Sequence, residues 1–297
     1  MTTADPLRER HPGFAPVSGR PHTARDVASH VWQNIGRHRV LAIAAGVTFY
    51  ALLAIFPAIA AVVTLYGLFA DMGTIAKQLD ALTGVLPGGA IEVIGNEVTR
   101  IAGGPPASLG VTLIVSLLIS LWSANAGMKA LFDALNVVYN AEERRGFVRL
   151  NLVSLAFTLT AIAFMLAAMT SVIVVPIVLD YLTLGSRAAP LIAIARWPLM
   201  LIVLGLALSL IYRFGPDRDN AQWRWISWGS AFAAIAWLAA SLLFSWYAAN
   251  FGSYNKTYGS LGAVIGFMTW MWLSTIVALI GAEIDAVMER WDRGSAH

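Results

Sequence analysis

A chain of 297 residues that is 58% hydrophobic and only 12% charged, with a mean hydropathy of +0.68, is too apolar for an ordinary soluble domain and points to a lipid bilayer as its solvent. It has no cysteine, which excludes disulfides, thiolate metal sites and thiol catalysis. The formal net charge of +3 calls for a membrane explanation before a nucleic-acid one, because the basic residues sort by side of the apolar stretches.

Six stretches hold no Asp, Glu, Lys, Arg or His: 40–69, 107–128, 150–179, 197–212, 225–249 and 258–281. The bilayer core takes about 20 apolar residues in a helix, with every backbone polar group paired internally. The fourth stretch is short and reaches this length by running back to about residue 190, past Arg196. The predicted fold class is therefore all-α. It is a polytopic membrane bundle of six transmembrane helices (about 40–69, 107–128, 150–179, 190–212, 225–249 and 258–281) within a domain at 23–290. A disordered cytoplasmic tail at 1–22 and a short one at 291–297 flank it.

In chain order, 1–21 is rich in Pro, Arg and Gly and reads as a solvated tail. From Thr23 the chain turns helical, with Val27, Val31 and Ile35 one turn apart beside Trp32, an interfacial helix with its basic end toward anionic lipid. The first apolar run begins only at Val40 and far exceeds a signal-peptide core, so it reads as an anchor. Pro57 sits inside it and predicts a kink. Between the first two spans, Ile75, Leu79, Leu82 and Leu86, then Ile91, Ile94, Val98 and Ile101, recur at helical spacing around Pro87, Gly88 and Gly89. They predict an amphipathic helical hairpin outside the membrane. Below the second span Lys129 and Asp133 form an i,i+4 pair, and Glu142, Glu143, Arg144 and Arg145 read as a solvated charge cluster. Trp223, Trp225 and Trp228 begin the fifth span and Tyr247, Tyr254 and Tyr258 end it, as interface belts do. Gly262 and Gly266 predict a close helix approach in the sixth span, below which Glu283 and Asp285 read as interfacial.

The charges set the orientation. With the N-terminus in the cytoplasm, the inside segments carry fifteen Lys and Arg residues and the outside segments five. The positive-inside rule then puts both termini in the cytoplasm.

Enzyme chemistry finds little footing. His11, His22, His30, His38 and His297 lie on terminal segments, and no phosphate loop or nucleophile elbow occurs. No catalytic, cofactor-binding or metal-ligating residue is assigned. The polar groups inside the spans are neutral, notably Asn125, Ser123, Ser116, Thr158, Thr160, Thr170 and Ser274, a lining that suits helix contacts or an uncharged or amphiphilic cargo.

The runs AAGVTFYALLAIFP at 44–57, ALNVVY at 134–139, YNKTYGSLG at 254–262 and LIGAEIDA at 279–286, with YRFGP at 212–216, resemble the YihY and virulence factor BrkB family over about 32–288. The resemblance implies a six-helix inner-membrane protein linked to envelope or lipid functions, some of whose members were once labelled ribonuclease BN. Its motif positions fall on Phe49, Pro57, Asn136, Tyr139, Tyr254, Lys256, Tyr258, Gly259 and Glu283, to which Asn125 is added as a polar group within a span. Ala54 stands where the family commonly has Ser. The expected function is transport or export of a lipid or other amphiphilic envelope molecule, without enzymatic activity or cofactor. The expected partners are the bilayer, anionic lipids at its cytoplasmic face and an amphiphile cargo; no nucleic acid is expected, and a homo-oligomer is compatible with this reading. The alternatives are a membrane-bound tRNA-processing ribonuclease and a membrane scaffold.

Overall fold

The computed structural model describes residues 24–67, 109–163, 185–218, 226–251 and 260–294. All regular structure among them is helical: α1 (Ala24–Arg37), α2 (Val40–Gly67), α3 (Leu109–Tyr139), α4 (Phe147–Ala163), α5 (Gly185–Phe214), α6 (Trp228–Phe251) and α7 (Ser260–Gly294). The amphipathic hairpin expected between the first two spans lies outside the described residues. Two helices are long and apolar enough to cross a membrane, Trp228–Ala248 and Val264–Asp292, and three shorter apolar pieces are Val40–Ala54, Phe147–Ala163 and Pro198–Phe214. The outer face carries the signature of a lipid-facing surface, with Leu118, Trp122, Leu243 and Trp246 all well exposed.

Helix ends meet at one pole. The first turns of α2 and α6 and the C-terminal parts of α3, α5 and α7 come together there, so that helices consecutive in the chain run in alternate directions. The core sits near this pole. Val40, Ala44 and Val47 of α2, Ala134, Leu135 and Val138 of α3, Leu279, Ala282 and Ala286 of α7, and Tyr212 of α5 form one buried cluster.

Sharp corners feed the chain into it. Arg39 takes φ 50°, and this single left-handed residue turns α1 into α2 while its carbonyl accepts from Ala42 N and Ile43 N. At the end of α3, Asn140 takes φ 51°, with Ala141 N donating to Asn136 O at 2.8 Å and Asn140 N to Val137 O at 3.2 Å. This is the paired hydrogen-bond closure that an αL residue after a helix allows, and Asn tolerates it better than most.

Two readings of the sequence change. The apolar stripe of α1 does not lie on lipid: Val31 packs on Val287 and Trp291, with Val27 and Ile35 beside them, while Trp32 stands 78% exposed on the opposite side. Trp291 is buried and α7 continues to Gly294, so the expected boundary at 290 falls inside a helix.

Among the described glycines, the closest helix approach does not involve Gly266. A Cβ added to Gly266 would meet nothing within 4 Å. By contrast, a Cβ on Gly229 would lie 2.0 Å from Gly281 O, and one on Gly281 would lie 2.6 Å from Gly229 O and 2.7 Å from the Tyr212 hydroxyl. Here α6 and α7 touch backbone to backbone, an approach that only glycine permits. Gly229→Ala should therefore lower the thermal midpoint of the purified protein by several degrees, whereas Gly266→Ala should leave it unchanged within about 1 °C, as expected for a change that meets no atom.

Candidate functional site

The pole is built around two carboxylates on α7. Glu283 is 0% exposed and Asp285 7% exposed. An ionised carboxylate taken out of water needs compensating donors. Glu283 has two from the α1–α2 corner: Asn34 Nδ2 donates to Oε2 at 3.1 Å and His38 Nδ1 to Oε1 at 2.5 Å. Asn34 and His38 are four residues apart, which brings both side chains to one side of the helix end. The other ring nitrogen, Nε2 of His38, is buried with no hydrogen-bond partner.

Asp285 faces the opposite way and holds the start of α6. Its Oδ1 accepts from Gly229 N at 2.8 Å and its Oδ2 from the Ser227 hydroxyl. Ser227 is the N-cap of α6, its Oγ accepting from Ser230 N at 3.1 Å. The carboxylate thus adds negative charge where a helix presents unpaired N–H groups. Behind it, Ser209 Oγ donates to Ser230 Oγ at 2.7 Å, linking α5 to the same cap.

Arg218, just past α5, closes the pole. Its Nη1 donates to Glu289 Oε2 at 2.5 Å, its Nη2 donates to Tyr212 O at 2.7 Å, and its plane lies 3.8 Å over the Tyr139 ring. The Tyr212 hydroxyl donates to Ala278 O at 2.5 Å. A cavity of about 30 Å³ opens among Tyr139, Arg213, Arg218, Asp285, Glu289 and Asp292.

Asn136 spans two loops. Its Nδ2 donates to Glu143 Oε2 at 3.0 Å and its Oδ1 accepts from Asp217 N at 2.9 Å. Arg145 grips Glu143 through Nε at 2.7 Å and Nη2 at 2.6 Å, and Nη2 also donates to Gly215 O at 2.8 Å. The solvated charge cluster expected at 142–145 is in fact a latch between the α3–α4 and α5–α6 connections. The Arg145 guanidinium, ahead of a smaller contribution from Asn136 and against the effect of burial, holds the Glu143 carboxyl below its ordinary range.

A second polar seam runs along α3 and α4. Asn125 Nδ2 donates to Asn151 Oδ1 at 3.2 Å and Lys129 Nζ to the same oxygen at 3.1 Å, so Lys129 reaches across to α4 where an i,i+4 partnership with Asp133 was expected. Asn125 Oδ1 is buried with no partner, and Thr48, Ser154 and Thr158 are buried on the surrounding helices.

Of the expected site residues, the fold gathers Asn136, Tyr139 and Glu283 at one pole and sets Asn125 apart in the seam. Phe49 is 54% exposed on the outer face, edge-to-face with Tyr50, because its position on α2 is turned away from the core formed by Val40, Ala44 and Val47. Pro57 lies in α2, but its side chain, like Tyr254, Lys256, Tyr258 and Gly259 altogether, lies outside the described residues. The interfacial placing of Glu283 and Asp285 is corrected to burial, and His38 belongs to a structured face after all. Asn34, His38, Ser227 and Arg218 were not singled out as site residues; the four-residue spacing of Asn34 and His38 was the one available signal. Among the described residues no group of three or more His, Asp and Glu is placed to hold a metal.

The chain belongs to the family described as Virulence factor BrkB, which matches residues 31–297. It is 31% identical over 185 residues to a ribonuclease-like protein, YfkH, of Bacillus subtilis (strain 168), covering 61% of this chain and 67% of that one. It is 29% identical over 307 residues to a UPF0761 membrane protein of Rhodospirillum centenum, covering 99% of this chain and 64% of the relative. It is 27% identical over 271 residues to another from Alkalilimnicola ehrlichii, covering 89% and 58%. The chain thus spans about three fifths of the length of these two membrane relatives. No solved structure matches it.

Acid should open the latch. Because the folded carboxyl of Glu143 binds its proton less readily than the unfolded one, its contribution is present above the unfolded value of about 4.3 and is lost as pH falls through the lower folded value. Hydrogen exchange of the 141–146 amides should accelerate between about pH 5 and pH 3 beyond the intrinsic trend, given that reference value. Glu143→Gln should exchange faster already at neutral pH and show a flatter acid response.

Proposed function

We propose that this BrkB-family chain crosses a bacterial inner membrane six times with both termini in the cytoplasm, and that it moves a lipid or similar amphiphile rather than catalysing a reaction. Two features support the topology. Arg37, Arg39, Arg144, Arg145, Arg149, Arg213 and Arg218 all lie at the pole where the helix ends meet, and the positive-inside rule then assigns that pole to the cytoplasm. At the same level Trp32, Phe147 and Trp228 stand exposed, as an aromatic belt at a headgroup layer would.

The observation that carries the transport reading is the α3–α4 seam. Apart from the Lys129 ammonium on Asn151, its polar groups are hydroxyls and carboxamides, and Asn125 Oδ1 is buried without a partner. An unsatisfied buried acceptor costs about 1–3 kcal/mol unless something supplies a donor. A passing headgroup with hydroxyl donors would supply it.

The ribonuclease-like name of the Bacillus relative favours a competing reading. Against it, Glu143, Glu283, Asp285 and Glu289 are each held by donors of the protein itself, which leaves them poorly suited to act as metal ligands or general bases.

Purified protein reconstituted into vesicles carrying a fluorescent phospholipid should speed its transfer between leaflets over protein-free vesicles. Asn125→Leu should slow that transfer about fivefold, the equivalent of one lost hydrogen bond near 1 kcal/mol. Transfer no faster than in empty vesicles, for every envelope phospholipid tried, would remove the proposal.

A further inference from the structure

The cavity at the charged pole has an imbalance. Three donor atoms around it are buried without a partner: Tyr139 OH, Arg213 Nη1 and Arg218 Nε. The acceptors nearby are already engaged, since both Asp285 oxygens hold the start of α6 and Glu289 accepts from Arg218. A guanidinium has only donors to offer, and two of them here bring positive charge. The space of about 30 Å³ exceeds the roughly 10–15 Å³ that one water occupies but would not take in a whole polar headgroup. It fits the exposed oxygens of a phosphate, which form charge-assisted hydrogen bonds with guanidinium donors. The same lining also carries the carboxylates of Asp285, Glu289 and Asp292. Guanidinium donors and carboxylates in one lining match a zwitterion better than a simple anion.

We propose that this cavity binds the phosphate of an aminoalkyl phosphodiester headgroup, as in phosphatidylethanolamine. The phosphate oxygens accept from Arg213, Arg218 and Tyr139, and the ammonium lies toward Glu289 and Asp292. The proposal rests on the lipid-handling reading for its ligand class, but it concerns equilibrium binding at the cytoplasmic end and not movement through the α3–α4 seam. Basic pockets between helices at that membrane face are a recurrent way to hold phospholipid headgroups.

The test is calorimetric titration of the detergent-purified full chain with short-chain phosphatidylethanolamine, phosphatidylglycerol and inorganic phosphate. Phosphatidylethanolamine should bind at least several-fold more tightly than either other ligand. Arg213→Gln and Tyr139→Phe should each weaken it several-fold; the second removes only the unpartnered hydroxyl and keeps the ring beneath Arg218, so it reports even where the arginine variant fails to fold. Inorganic phosphate binding as tightly as the lipid would overturn the headgroup assignment. Unchanged lipid affinity in Tyr139→Phe and in folded Arg213→Gln would overturn the site. Loss of binding in these variants with interleaflet transfer intact separates the cavity from the transport path, whereas absence of transfer with binding intact counts against transport alone.

Discussion

A carboxylate cannot be taken out of water without donors, and α7 takes two. Glu283 and Asp285 are two residues apart, about 200° around a helix, so one faces the α1–α2 corner and the other the start of α6. A single helix thereby fixes its neighbours on both sides. Replacing such a pair by apolar residues is often harmless, but removing one partner leaves a buried charge uncompensated at a cost of about 3–5 kcal/mol. The arrangement is therefore a constraint more than a source of stability: the helix ends assemble in this way or leave a charge stranded.

The other features of the pole follow from that constraint. With α6 drawn onto Asp285, its backbone meets α7 at Gly229 and Gly281, where side chains are excluded. Arg218 then packs over Tyr139 and reaches Glu289. The two connections at this end are tied by Asn136, Glu143 and Arg145, which leaves little freedom for them to move separately. Most of the charge is thus gathered at one end, while the α3–α4 seam holds carboxamides and hydroxyls with Lys129 as its charged member among the described residues. That division suits a protein whose fixed end is anchored at one membrane face and whose interior is permissive to an amphiphile.

Much of the helical framework was legible in the sequence, because long stretches without formal charge admit few alternatives. The N-terminal helix from 23 and the membrane-type composition were readable, as was the family through its motifs, whereas α3 runs on to Tyr139, past the expected end of the second span at 128. What stayed hidden depends on partners distant in sequence. Glu283 and Asp285 looked interfacial because nothing near them in the chain could neutralise them; their donors sit 245 residues away at His38 and 58 away at Ser227. The Val27, Val31 and Ile35 stripe has the same pattern whether it meets lipid or α7, and only the buried Val287 and Trp291 decide between them. Likewise the spacing of Gly262 and Gly266 looked like a close approach, whereas the actual one pairs two glycines 52 positions apart with no local signature.

The central claim is that Glu283 and the α1–α2 corner are energetically one unit. A double-mutant cycle of His38→Ala and Glu283→Ala, read by reversible denaturant unfolding in detergent micelles, measures this most directly. The account predicts a coupling of roughly 2–3 kcal/mol, the range for contacting buried charged partners. Additivity of the two substitutions to within about 0.5 kcal/mol, as found for independent sites, would contradict it.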